Sequence, residues 1–256
     1  MKIVATIEAR MASSRLPKKV MAPIYKNLNT IEIIVQRVKK SKLIDDIVVA
    51  TTNHQSDDIL VNFLKKKKIN YYRGSQNNVL SRIVSAAKKY NPDLLVQLTG
   101  DNPLVDSEII DYITSYFKKN YLKFDYITNN GFSNLSNREI PLGLDVSVIK
   151  FSSLIKILDL ANQKDTKEHP SLYFYRDGKK KFNILNIKMK KKWINKSLRL
   201  TMDTVEDLKF IKKLFKKLYN KKGLFFTIKD ILNLKIKDKK MFSLNSNIKQ
   251  RLPRNN

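Results

Sequence analysis

The chain contains no cysteine. This excludes disulfides, zinc–thiolate centres and thiol nucleophiles, and it suits a reducing compartment. Its two histidines, His54 and His169, are too few for a multi-histidine metal centre. Glycine is scarce, at six residues, and neither the Walker phosphate loop nor the dinucleotide glycine fingerprint occurs. No stretch approaches the roughly 18 apolar residues of a membrane span. The apolar N-terminal run is interrupted at Glu8 and Arg10, unlike a secretory signal. A soluble cytoplasmic protein is the expectation. Acids are also scarce, 23 against 51 Lys and Arg, for a net charge of +28. Such an excess attracts polyanions, yet Lys, Asn and Ile rise together along the whole chain, as in a general compositional drift. A solvated basic surface is therefore preferred to a nucleic-acid-binding one.

The length of 256 residues allows one large α/β domain with a substantial core. The first 130 residues alternate strand and helix at βαβ spacing. Strands are expected at 3–7, 47–51, 69–72, 94–98 and 124–128. Between them, apolar residues recur at helical spacing, as in Ile31, Ile34, Val35 and Val38 behind Asn29 or Thr30. Later strands are expected at 143–148, 182–187 and 198–201. Helices are expected near 154–160 and 172–175, from the Thr204-x-x-Asp207 capping box to about Tyr219, and over 227–234. The predicted fold is a three-layer α/β/α, Rossmann-like domain over residues 1–236, with a mostly parallel central sheet. Apolar periodicity then fails, so residues 237–256 are expected to form a frayed, disordered basic tail.

The chemistry concentrates in the segment after the first strand. Residues 9–19 interleave Arg10, Arg15, Lys18 and Lys19 with Ala9, Ala12, Ser13 and Ser14. Small side chains let a polyanion approach the backbone and the cations neutralise it, as a triphosphate site requires. Asp101 follows the fourth strand in Thr99-Gly100-Asp101-Asn102-Pro103, and Asp203 follows a late one. Ligands of open α/β sheets bind beyond the carboxyl ends of strands. Two carboxylates there suit Mg²⁺, which is held by one or two carboxylates plus substrate phosphates. Each signal has a plainer alternative: Asp101 as a turn residue, Asp203 as a solvated residue before the Thr204 cap, and the basic loop as a solvated connection.

Taken together, these motifs resemble those of cytidylyltransferases, closest to the spore-coat polysaccharide branch related to the 3-deoxy-manno-octulosonate and acylneuraminate enzymes. The resemblance runs from Lys2 to about Leu208. It rests on residues 9–19 and on Val49-Ala50-Thr51-Thr52, Arg73-Gly74-Ser75, Val79-Leu80-Ser81-Arg82, residues 99–104, Pro141-Leu142-Gly143-Leu144-Asp145, Lys167-Glu168-His169 and Asp203-Thr204-x-Glu206-Asp207. It implies CTP as donor, a small sugar acceptor, Mg²⁺ and a possible homodimer. By the same resemblance Arg10 and Lys19 grip the phosphates, and Asp101 and Asp203 hold the metal. Ala9, Ser13, Ser14, Arg15, Arg73 and Arg82 border the nucleotide. Arg138, Glu139, Asp145, Glu168 and His169 face the acceptor, although His169 at a helix start also reads as a packed or capping residue. Lys18 stands where the family usually has glycine, which matters if that position needs a positive φ. The competing readings are a nucleotidyltransferase using another nucleoside triphosphate, a lapsed relative, and a nucleic-acid-binding protein. The last draws on residues 179–196, where eight lysines interleave with apolar residues and Trp193.

Overall fold

A computed structural model describes residues 1–250. Seven strands form the main sheet: β1 (Ile3–Glu8), β4 (Asp46–Thr52), β5 (Tyr71–Gly74), β6 (Leu94–Thr99), β7 (Tyr126–Thr128), β8 (Ser147–Lys150) and β9 (Ile184–Asn186). Their spatial order is β5-β4-β1-β6-β8-β7-β9, and only the two pairings made by β8 are antiparallel. A small hairpin of β2 (Pro23–Tyr25) and β3 (Leu28–Asn29) stands apart.

Strand alternation divides the core into two layers. Ile3, Ala5 and Ile7 of β1 face one side, with α1 (Thr30–Val38), α2 (Asp58–Lys66), α4 (Ser107–Lys119) and α8 (Val205–Lys222). Val4 faces the other, with α3 (Val79–Lys88), α5 (Phe151–Leu160) and α7 (Ser171–Tyr175). The expected three-layer α/β/α architecture with a mostly parallel sheet is therefore what forms. Helix starts follow the local signals. Asn29 accepts the Glu32 amide at the head of α1, and Thr204 and Asp207 form the capping box of α8.

Four expectations need adjustment. The third predicted strand lies at Tyr71–Gly74 (β5) and the sixth at Ser147–Lys150 (β8), each a few residues later than predicted. Residues 144–146 are held by a side chain instead of the sheet: Asn129 accepts the Val146 amide and donates to the Leu144 carbonyl. Residues 198–201 run beside Leu142 through a single bridge instead of joining the sheet. That close approach needs Gly143, at φ +99°, where a Cβ would lie 2.4 Å from the Thr201 nitrogen. The chain also stays packed beyond 236: α9 (Ile228–Lys237) leads into α10 (Lys239–Phe242), and Met241, Phe242 and Asn245 are buried. Apolar periodicity missed this segment because it is anchored by these few contacts. Residues 251–256 of the expected tail lie outside the described residues.

The topology places the site. From β1 the chain moves outward to β4 and β5, then returns to lay β6 against the opposite edge of β1. The carboxyl ends of β1 and β6 therefore form a topological switch point, where open α/β sheets bind ligands.

Candidate active site

Residues 9–18 leave β1 at this switch point and close into a 3-10 turn, Lys19–Met21. Met11, Leu16 and Val20 are buried and anchor the loop on the core. Asp57, fully enclosed at the start of α2, accepts the Met11 amide at 2.6 Å and also bonds Thr51 and Thr52. This buried carboxylate fixes the loop to the end of β4. Gly100 allows the β6 turn to meet the same loop: its amide donates to the Glu8 carbonyl at 2.8 Å, and a Cβ there would lie 2.8 Å from that oxygen.

Lys18 adopts φ 61° and ψ 18°, the left-handed region. The positive φ is thus retained without glycine, and the exposed Lys18 side chain does not line the cleft. Left-handed backbone strains a residue with a Cβ, while glycine adds freedom to the unfolded chain. Lys18→Gly should therefore raise stability modestly, by roughly 0.5–1 kcal/mol, with turnover unchanged. Thermal unfolding checks this, and a destabilised variant would count against the strain.

The two predicted acids converge. Lys19 Nζ lies 2.7 Å from Asp101 Oδ2 and 2.8 Å from Asp203 Oδ1. The Met202 amide donates to the Asp101 carbonyl at 2.8 Å, which delivers Asp203 from the far half of the chain. Arg15 and Arg199 reach the other Asp203 oxygen at 3.3 and 3.2 Å. Arg199 also holds the fully buried Asp207, which accepts the Asp203 and Thr204 amides and the Asn245 side chain. Burial opposes charge on Lys19, but Asp101 and Asp203 outweigh it and keep its pKa above the ordinary lysine value. Burial likewise opposes charge on Asp203. Lys19, Arg15 and Arg199 reverse that and hold it below the usual carboxylate range.

Around this centre runs a cleft of about 760 Å³ lined by Ala9, Arg10, Ser13, Ser14, Arg15, Lys19, Arg82, Asp101 and Asp203. Arg10 approaches Glu168 at 3.5 Å, and both Glu168 and His169 line this cleft and not the neighbouring cavity. Burial holds His169 below the ordinary histidine pKa, so it is neutral near pH 7. Burial also depresses Arg82, whose Nη1 donates to the Ser75 carbonyl at 2.5 Å.

Glu8, at the end of β1, accepts from Gln97, and burial pushes its pKa up to about 6. A carboxyl raised from 4.5 to about 6 opposes folding when ionised. Its stability contribution therefore falls as pH rises through that window. Glu8→Gln should stabilise the protein at pH 7 by at most about 2 kcal/mol, the shift times 1.36 kcal/mol per unit. The gain should vanish below pH 4.5. Melting curves at both pH values check this, and a pH-independent difference would refute it.

A second cavity, of about 200 Å³, adjoins the cleft at Thr99, which lines both. Arg138 and Asp145 face it, paired at 2.5 Å. Three of its buried polar atoms, Gln97 Oε1, Asn130 Oδ1 and Arg138 Nε, have no hydrogen-bond partner among the described residues. Such groups are normally satisfied, so the cavity presents two open acceptors, Gln97 Oε1 and Asn130 Oδ1, and one open donor, Arg138 Nε–H, to anything that enters it.

Two predicted residues lie elsewhere. Arg73 is absent from the cleft lining: its guanidinium bonds the Thr52 and His54 carbonyls and pairs with Asp58 at 2.7 Å. It secures the ends of β4 and β5. Glu139 lines neither cavity and accepts the Met189 amide at 2.9 Å. Conversely, Asp57, Arg199 and Gln97 were not singled out from sequence. Arg199, a lone charge between Leu198 and Leu200, carried the one usable signal. Trp193 is 3% exposed and packs at a tilt against Tyr112, 5.4 Å between ring centroids, so it offers no face to a base. Among the described residues no helix is long and apolar enough to cross a membrane.

Comparison with known proteins places the whole chain beside relatives of similar length and fold. An uncharacterised protein of Methanocaldococcus jannaschii is 35% identical over 98% of this chain and 97% of its own. The spore coat polysaccharide biosynthesis protein SpsF of Bacillus subtilis is 33% identical over 84% of this chain and 87% of its own. Among solved structures, a cytidylyltransferase from Leptospira borgpetersenii superposes with a TM-score of 0.86 at 29% identity, over 98% of this chain and 99% of that one. A CMP:2-keto-3-deoxy-manno-octonic acid synthetase complexed with CTP shares the fold, with a TM-score of 0.64 at 15% identity, over 85% of this chain and 99% of that one. With the cytidylyltransferase family model matching residues 4–237, the chain belongs to the cytidylyltransferase family.

Proposed function

We propose that the protein transfers CMP from CTP to a hydroxyl of a sugar, acidic or related, with release of pyrophosphate, for surface polysaccharide or glycoconjugate synthesis in the cytoplasm. The observation that carries the reading is the meeting of Lys19, Asp101 and Asp203 on the wall of a cation-lined cleft that adjoins a polar cavity at Thr99. The triphosphate lies in the cleft along Arg10, Arg15 and Lys19. Glu8 and Arg82 form its wall on the α3 side. The acceptor sits in the smaller cavity against Gln97, Asn130 and Arg138, and its hydroxyl meets the α-phosphorus beside Thr99. The new O–P bond forms as the bond to pyrophosphate breaks, in line, with no covalent enzyme intermediate, and the hydroxyl proton leaves to water or to the departing pyrophosphate. The cations, fixed before reaction, stabilise the charge that develops on the phosphates.

Asp101 and Asp203 offer the hard oxygen donors that suit Mg²⁺. Among the described residues no three His, Asp or Glu side chains group closely enough to hold a metal, so water and substrate phosphate oxygens would supply the ligands beyond Asp101 and Asp203. When bound, Mg²⁺ would neutralise phosphate charge. The reading is tested by pyrophosphate release from CTP, UTP, GTP and ATP across a panel of keto-acid and amino sugars, with mass detection of the conjugate. Release that requires both CTP and a sugar is expected, and equal release from all four nucleotides would refute CTP as donor.

A further inference from the structure

Lys19 does more than wait for phosphate. Its ammonium sits between Asp101 Oδ2 and Asp203 Oδ1, at 2.7 and 2.8 Å, in the space a shared cation needs. The remaining Asp203 oxygen is taken by Arg15 and Arg199, and the remaining Asp101 oxygen accepts from Thr99 at 2.6 Å. No carboxylate oxygen of the pair therefore lacks a donor. Charge is balanced as well. Asp101 and Asp203 are matched by Lys19 and Arg15, while Arg199 and Asp207 offset each other. A divalent cation entering alone would meet three cations and no net negative charge. No third acidic or histidine side chain groups with the pair to compensate, among the described residues.

We infer that Lys19 keeps the Asp101–Asp203 pair closed to a lone divalent cation, so that metal enters only together with a triphosphate. The inference rests on the nucleotide reading given above. The triphosphate supplies the negative charge the pair lacks and gives the lysine ammonium a new partner. The 3-10 turn holds the Lys19 backbone, whose amide donates to the Leu16 carbonyl at 3.2 Å. The flexible four-carbon stem lets the ammonium swing while its root stays fixed. Metal and nucleotide binding are thus coupled through one side chain, and each must raise the affinity for the other.

Equilibrium dialysis with Mn²⁺ tests this on the full-length protein, wild type and Lys19→Met, each with and without CTP and with no acceptor present. Wild type should retain Mn²⁺ only with CTP. Lys19→Met should bind Mn²⁺ alone at least tenfold more tightly than wild type does. Two results would overturn the inference: wild type retaining Mn²⁺ equally well without CTP, or Lys19→Met binding it no more tightly than wild type. The first stands on wild type alone, should the variant fold poorly. If CTP brings no Mn²⁺ to wild type, the cytidylyl-transfer reading falls instead, and the variant without CTP still decides the role of Lys19.

Discussion

Lys19→Ala should lower the rate of CMP transfer on the order of a hundredfold, the scale for losing one preorganised charge contact in the transition state. Among the described residues Lys19 is the one cation that touches both Asp101 and Asp203, so none of these neighbours substitutes for it in that position. The loss should fall on kcat as well as kcat/KM, because the contact matters most as charge develops on the departing phosphates. The variant should still fold, since Arg15 and Arg199 continue to cover Asp203. Steady-state kinetics beside a melting curve decide the matter. Turnover within threefold of wild type in a folded variant would remove Lys19 from the mechanism.

The second large effect concerns a residue that touches no substrate. Asp207 is fully buried, pairs with Arg199 at 2.9 Å and accepts the Asp203 and Thr204 amides. Asp207→Ala takes from the buried Arg199 guanidinium the carboxylate it grips through two nitrogens, leaving it only Asp203 and Gln250 among the described residues. Removing one partner of a buried pair costs about 3–5 kcal/mol, which for a domain of this size lowers Tm by about 6–20 °C. It also frees the turn that aims Asp203, so residual activity in the folded fraction should fall too. Asp207→Asn keeps the volume and part of the hydrogen bonding, and should lie between wild type and Asp207→Ala. A melting temperature unchanged in Asp207→Ala would contradict this role of the buried pair.

That residues 9–19 and Asp101 share one cleft was largely legible in sequence because their signals are local. Residues 9–19 and 99–103 each lie directly after a strand, and parallel pairing of β1 with β6 brings them together. Asp203 was legible only as a motif: its approach to Asp101 depends on Gly143, whose missing side chain lets residues 200 and 201 pass. Arg73 shows the opposite case. The resemblance implied that it borders the nucleotide, yet Asp58 and two carbonyls claim it. The role of Asp57 was not legible, since its bond to Met11 spans 46 residues. The packing of Asn245 against Arg199 and Asp207 is equally non-local, and no periodic pattern announces it.

The central claim, a site for CTP with Mg²⁺, is tested most directly by thermal unfolding with CTP, UTP, GTP and ATP, each with and without Mg²⁺. A ligand at about 100 times its Kd adds roughly 2.7 kcal/mol, a shift of roughly 5–10 °C for a domain of this size. The expected result is a shift of that size for CTP with Mg²⁺, lost in Asp101→Asn. Equal small shifts with all four nucleotides, indifferent to Mg²⁺ and to Asp101, would instead mean polyanion binding by a very basic surface.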